Sequence, residues 1–211
     1  MSSIKLKHSG GNSVSLNPPT SAPTSSDVAF KLPNADGSAN QLLKTDGSGN
    51  LGFVAQGLAG ITEFDMWHFT TTSGNGALTG NLVRTNLTGS AAQIGTGVSE
   101  SSGIFSFPNT GKWLVIARPE IVAQNTDTIF FNTQITTNNS SYTTHGVAKG
   151  GGNGTGGFLA TTPSSYTFAD VTDTSNVKVK FVVSDVAGSS YIYGHADGLH
   201  TQLLFIRLGD T

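Results

Sequence analysis

Cysteine is absent from the 211 residues, so neither disulfides nor thiolate metal sites are available and no redox compartment can be read. Charge is scarce: 11% of residues are Asp, Glu, Lys or Arg, against roughly 25% in an average soluble protein. The 11 Lys and Arg are spread thinly in a chain of net charge −2. The sequence therefore offers no basic stretch to neutralise phosphates, and nucleic acid is not an expected partner. No run approaches the roughly 18 apolar residues of a membrane-spanning helix. The start, Met1-Ser2-Ser3-Ile4-Lys5-Leu6-Lys7, lacks the apolar segment of a signal peptide. Cytoplasmic synthesis without membrane insertion is the expectation.

Helical periodicity is missing as well, because Gly or β-branched residues interrupt every run with apolar residues at i, i+3, i+4 and i+7. Catalytic signatures are equally absent: there is no Gly-x-Ser-x-Gly elbow, His-Glu-x-x-His or Walker loop. The acids Glu63, Asp65, Glu100, Glu120, Asp127, Asp170, Asp173 and Asp185 read as scattered through turns rather than paired for glycoside hydrolysis. No enzymatic activity and no cofactor are expected.

What the chain does have is Gly, 27 residues of it, together with Ser, Thr and Asn, and apolar runs placed between turn clusters. Trp113-Leu114-Val115-Ile116 and Leu203-Leu204-Phe205-Ile206 are such runs, and they separate this sequence from a disordered Gly/Ser-rich one. The fold class is therefore all-β. Residues 62–211 space their strands as a two-sheet sandwich does, with strands read near 62–70, 78–87, 103–107, 112–123, 127–137, 157–160, 165–171, 177–185, 190–195 and 199–208.

Residues 1–57 differ, having short apolar pieces between long polar turns, and residues 58–61 read as a joint. Asp36-Gly37 and Asp46-Gly47 suit short hairpins. Such hairpins are marginal alone, whereas three intertwined chains would bury Val28, Phe30, Leu32, Leu42, Leu43, Leu51 and Phe53 around a shared axis. Two readings stand: a trimeric shaft, or a loose arm laid on a neighbouring surface.

Three sites suggest chemistry. The polar run 138–157, with Tyr142, His145 and Lys149, reads as an exposed loop suited to a ligand, or simply as a flexible one. Trp67, Trp113, Tyr142, Tyr191 and Tyr193 carry rings of the kind that stack on sugars, although Trp113 sits in an apolar run and reads as core. His195, Asp197 and His200 bring three metal-ligand types to one turn. Their spacing matches no established metal motif, so no metal is assigned and Asp197-Gly198 reads as a hairpin turn.

Residues 103–115, with Phe105, Phe107, Pro108, Gly111 and Trp113, resemble the F-x-F/V-P-x-x-G-x-Y/W signature of C1q/TNF-like jelly rolls. Phe105 and Phe107 then share one strand face, Pro108 ends the ladder and Trp113 enters the core. Residues 170–181 and 203–208 look like further strands of that family. Residues 31–51 are similar to a module of tail-fibre and virion proteins of marine cyanobacterial phages, and residues 94–103 and 206–211 resemble the same group. The resemblance implies a bacteriophage virion protein, a homotrimer whose N-terminal segment joins other capsid or tail proteins. It would be a short fibre or spike whose head contacts a host surface glycan or protein, or alternatively a decoration protein that cements the particle.

Overall fold

The computed structural model describes every residue except 1–3, 18, 25–28, 56–59, 88–89 and 155. It divides into two compact units, Met1–Ala59 and Gly60–Thr211, each with its own sheets.

In the first unit, β1 (Ile4–Lys7) pairs antiparallel with β2 (Ser13–Leu16), and β3 (Gln41–Thr45) with β4 (Leu51–Ala55). The second hairpin turns at Asp46-Gly47. Its loop is pinned by the Asp46 carboxylate, which accepts from Ser48 N at 2.8 Å, Asn50 N at 3.1 Å and Asn50 Nδ2 at 2.6 Å. The Asn50 and Ser48 hydrogen bonds favour the charged form and lower the Asp46 pKa. The hairpin expected at Asp36-Gly37 does not form. The chain before it is engaged at Lys31, which bridges Asn50 in parallel, and Gly37 lies against the Phe53 ring, where an added Cβ would come within 2.6 Å.

Among the described residues the second unit carries seventeen strands. They are β5 (Phe64–Phe69), β6 (Gly76–Ala77), β7 (Leu82–Arg84), β8 (Asn86–Leu87), β9 (Ser90–Ala91), β10 (Gln93–Ile94), β11 (Ser99–Ser101), β12 (Ile104–Ser106) and β13 (Gly111–Arg118). After these come β14 (Glu120–Gln124), β15 (Thr128–Thr136), β16 (Thr143–Gly151), β17 (Phe158–Thr161), β18 (Ser165–Val171), β19 (Lys178–Ser184), β20 (Tyr191–Tyr193) and β21 (Thr201–Gly209).

The front sheet has the order β10-β5-β21-β13-β18 with β7 also on β5, and the back sheet the order β11-β12-β19-β15-β16 with β6 also on β19. A smaller sheet, β17-β14-β20, adjoins them, and β8 pairs β9. The named strand pairs are antiparallel, and strands distant in sequence lie side by side, the pattern of a jelly-roll sandwich. Alternation explains the two layers: β18 reads Ser165, Thr167, Ala169 and Val171 inward with Tyr166, Phe168 and Asp170 outward, and β13 buries Trp113, Val115 and Ala117.

Aromatic rings fill the space between the layers. Phe105, Phe131, Phe181, Phe205 and Trp113 are fully buried, and Phe107 nearly so. Phe105 lies 4.9 Å from Phe205 and Phe107 lies 5.0 Å from Trp113 between ring centroids. Pairs at this separation add about 0.5–1.5 kcal/mol beyond their buried area.

Three sequence expectations need correction. The strand read over 78–87 is broken into β7 and β8, with 78–81 outside any strand and Asn81 turning the chain at φ +57°. The strand read over 112–123 is two strands, because buried Pro119 has no amide donor to continue the ladder, and β14 leaves for the small sheet. The loop read over 138–157 is largely β16, paired with β15 along its length. Its inward positions are Gly146, Ala148 and Gly150. A Cβ on Gly146 would sit 2.0 Å from Thr167 Oγ1, and one on Gly150 would sit 2.5 Å from Thr161 Oγ1. The glycines that suggested a mobile loop are what let this strand pack close to its neighbours.

Candidate association face and exposed head surface

Four adjacent front-sheet strands present apolar side chains outward in register. Tyr166 lies opposite Ile116, which faces Leu204, which faces Met66; one step along, Phe168, Leu114, Ile206 and Phe64 repeat the row. Tyr166 is 68% exposed and Phe168 56%, while the other six are half-buried. Polar groups close both ends. Lys112 pairs with Asp170 at one, and Arg118 and Gln202 lie in register at the other. A contiguous apolar face of this regularity is the kind of surface at which proteins interact. A sequence signal existed: Leu114 and Ile116 interleave Trp113 and Val115, and Leu204 and Ile206 interleave Leu203 and Phe205, so both faces of these strands call for cover.

The first unit has the same need on a smaller scale. Leu43 opposes Phe53 on one face of the β3–β4 hairpin, and Leu42 opposes Val54 on the other. All four are exposed, as are Phe30 and Leu32, the last at 78%, and Leu51 is half-buried. Val28, assigned with them from sequence, lies outside the described residues.

The loop candidates fall on the back sheet. Tyr142 immediately precedes β16, and His145 and Lys149 are two of its outward positions. Tyr142 receives Lys180 Nζ over its ring at 4.2 Å, and Lys149 Nζ stands over Phe130 at 5.2 Å. Burial raises the Tyr142 pKa. Lys180, Lys178 and Phe130 join these residues only through the strand order, and no local pattern announces them.

His195, Asp197 and His200 do not assemble as ligands: among the described residues no group of three or more His, Cys, Asp or Glu side chains comes together to hold a metal. His195 Nδ1 accepts from Asp197 N at 3.1 Å, and His200 Nδ1 meets Glu120 Oε2 at 2.7 Å. His200 instead extends a row of rings on the small sheet. Phe158 and Tyr191 are 6.4 Å apart, Tyr191 and Tyr193 6.2 Å, and Tyr193 and His200 4.6 Å.

Glu63 and Asp65, read from sequence as turn acids, are buried at β5. Asp65 accepts from Trp67 Nε1 at 2.9 Å, Val98 N at 2.9 Å, and Arg84 Nε and Nη2 at 2.9 and 3.0 Å. Glu63 accepts from Gly97 N and Asn109 Nδ2, both at 2.9 Å. Asp65 thus accepts four hydrogen bonds and Glu63 two, and together they anchor the segment around Gly97, whose φ is +69° and where an added Cβ would strike Asp65. Trp67 belongs to the core cluster. Nearby, buried His68 meets Thr85 Oγ1 at 3.1 Å. Burial lowers its pKa, against a smaller opposing contribution from a hydrogen bond with the Ala196 backbone.

No protein-family model and no curated protein matches the chain. Solved structures do. Eiger TNF from S. frugiperda superposes with a TM-score of 0.50 at 13% identity, over 72% of this chain and 96% of that one. Murine APRIL at pH 8.0 gives 0.47 at 10% identity, over 69% and 98%. The fold is accordingly a C1q/TNF-like jelly roll, all-β and without helices among the described residues.

Proposed function

We propose that the chain is a non-enzymatic virion protein of a bacteriophage, a short homotrimeric fibre or spike whose jelly-roll head contacts the host surface. The observation that carries the trimer is the two-row apolar face formed by β5, β21, β13 and β18. Burying it against copies of itself removes Tyr166 and Phe168 from water and leaves the polar groups at both ends on the rim, the usual anatomy of an interface. The exposed leucines and phenylalanines of the first unit support a shaft formed by the same three chains, which joins other capsid or tail proteins. Two faces of one thin hairpin cannot both be covered by the hairpin itself. The phage origin and location in the virion rest on the resemblance of residues 31–51, 94–103 and 206–211 to cyanobacterial phage proteins. The hydrogen bonds that engage both Glu63 and Asp65 accord with a scaffold role for the most buried acids.

Light scattering on the purified full chain at micromolar concentration tests the assembly: a trimer is expected, and a folded monomer overturns it. For host contact, added protein should compete with phage adsorption. An unchanged adsorption rate at saturating protein rejects the fibre role.

A further inference from the structure

We propose that the outward face of the back sheet docks an anionic, uronate- or sulfate-bearing polysaccharide. This inference rests on the head's contact with a host surface and names the ligand chemistry. The outward positions of β19 include Lys178 and Lys180, and those of β16 include His145 and Lys149. Between them β15 presents Phe130, Asn132 and Gln134. None of the outward positions on these three strands is a carboxylate, in a chain whose Asp and Glu outnumber its Lys and Arg by 13 to 11. The nearest acids by sequence, Asp127 beside β15 and Asp173 and Asp185 on either side of β19, lie in the connecting segments, and the Asp127 carboxylate accepts from Thr128 N and Ala187 N. The ion pairs among the described residues engage Arg84, Lys112, His200 and Arg207, so the back-sheet lysines carry uncompensated charge.

That charge is held in place. Lys180 lies over Tyr142 and Lys149 over Phe130, while Lys178 donates to Ser106 Oγ and Thr174 O, both at 2.9 Å. Ammonium groups fixed against rings and carbonyls lose less freedom when an anion arrives. Asn132 uses its amide hydrogens on Val182 O and Ser184 Oγ, which leaves its carbonyl oxygen to accept from a sugar hydroxyl.

Charge complementarity selects a polyanion, and number and spacing select its class. Three lysines without an arginine fall short of the roughly six to ten phosphate contacts of a strong nucleic-acid binder. Lys149 and Lys180 lie two strands and four residues apart through the register Lys149–Phe130–Ser184, roughly 16 Å at the backbone. An extended chain with one negative charge every sugar or two spans that distance. The face lies on the sheet opposite the association face, so a trimer built through β5, β13, β18 and β21 leaves three copies of it in water and multiplies a weak contact by avidity.

The test uses the full-length protein and two probes, heparin and polygalacturonate, with dextran as the neutral polymer. The expected result is binding to both polyanions and not to dextran, weakened by salt as exposed charges are screened. The double variant Lys149→Gln/Lys180→Gln should bind roughly tenfold or more weakly. Lys149→Arg/Lys180→Arg should retain binding, and equal melting temperatures establish that both variants fold. Tyr191→Ala/Tyr193→Ala, on the small sheet, should bind normally. Absence of polyanion binding by the folded protein, undiminished binding by the Gln variant, loss confined to the tyrosine variant, or tighter binding to duplex DNA than to polygalacturonate each overturns the proposal. Light scattering on the same samples separates the two readings. A monomer that binds rejects the trimer alone, and a trimer that does not bind rejects the polysaccharide alone.

Discussion

On the front sheet the outward positions of four adjacent strands include Phe64, Met66, Leu114, Ile116, Tyr166, Phe168, Leu204 and Ile206 in two unbroken rows; on the back sheet Phe130, Val147 and Val182 are set among Lys178, Lys180, Ser184, Thr128, Asn132, Gln134, His145 and Lys149. Both sets alternate with core residues at the same period of two, and both belong to sheets of similar size. The inner faces answer to one requirement, packing, and so resemble each other. The outer faces answer to what each meets outside the protomer, and so diverge. The difference between the two outer faces is what the proposed trimer rests on, with the apolar side turned to other copies and the polar side left to water or a ligand.

Charge placed in the front face should produce the largest effect. Leu114→Glu/Phe168→Glu is expected to abolish the trimer, because like carboxylates would be buried unpaired at every interface; sedimentation of a folded monomer would be the readout, and an unaltered trimer would show that the face is not the interface. Asp65→Ala removes the acceptor of Arg84, Trp67 Nε1 and Val98 N from beneath the same sheet. A loss of about 3–5 kcal/mol is expected in denaturant unfolding, with hydrogen exchange accelerating first around β10.

On the opposite sheet, Gly146→Val should destabilise the head by about 1–3 kcal/mol through overpacking, since even a Cβ there meets Thr167 Oγ1 at 2.0 Å. If instead the variant melts normally, β16 does not pack as described. The smallest effect is a pH dependence. Burial depresses the His68 pKa below its ordinary 6.5, so the unfolded chain binds more protons in acid. Stability is then complete above about 6.5 and falls as pH drops from there toward the folded-state value. His68→Gln should flatten the melting temperature against pH in that range, and an identical slope in the variant would exclude His68 as its source.

How far the sequence could be read depends on the segment. β18 was legible over its whole length, and Phe105, Phe107 and Trp113 announced their buried places through alternation and the Pro108 and Gly111 punctuation. β16 was not legible, because the signals that mark a loop, glycine and small polar residues, also serve a strand whose inward side has no room. The three back-sheet lysines stand apart in sequence at positions 149, 178 and 180, and a linear reading that found no basic stretch had no means to see them gathered. Conversely, the His195–His200 turn looked concentrated, yet its groups are taken up by Asp197 N and Glu120.

The sequence by itself determined the β class, the hairpin at Asp46-Gly47, the aromatic core and the lack of disulfides, because period-two alternation, turn chemistry and composition are local properties. Only the tertiary structure decided which strands became neighbours. The apolar rows of the front sheet and the lysines of the back sheet both come from hydrogen-bonded pairings between distant segments. Local propensity does not encode the partner of an edge or the cover of a face.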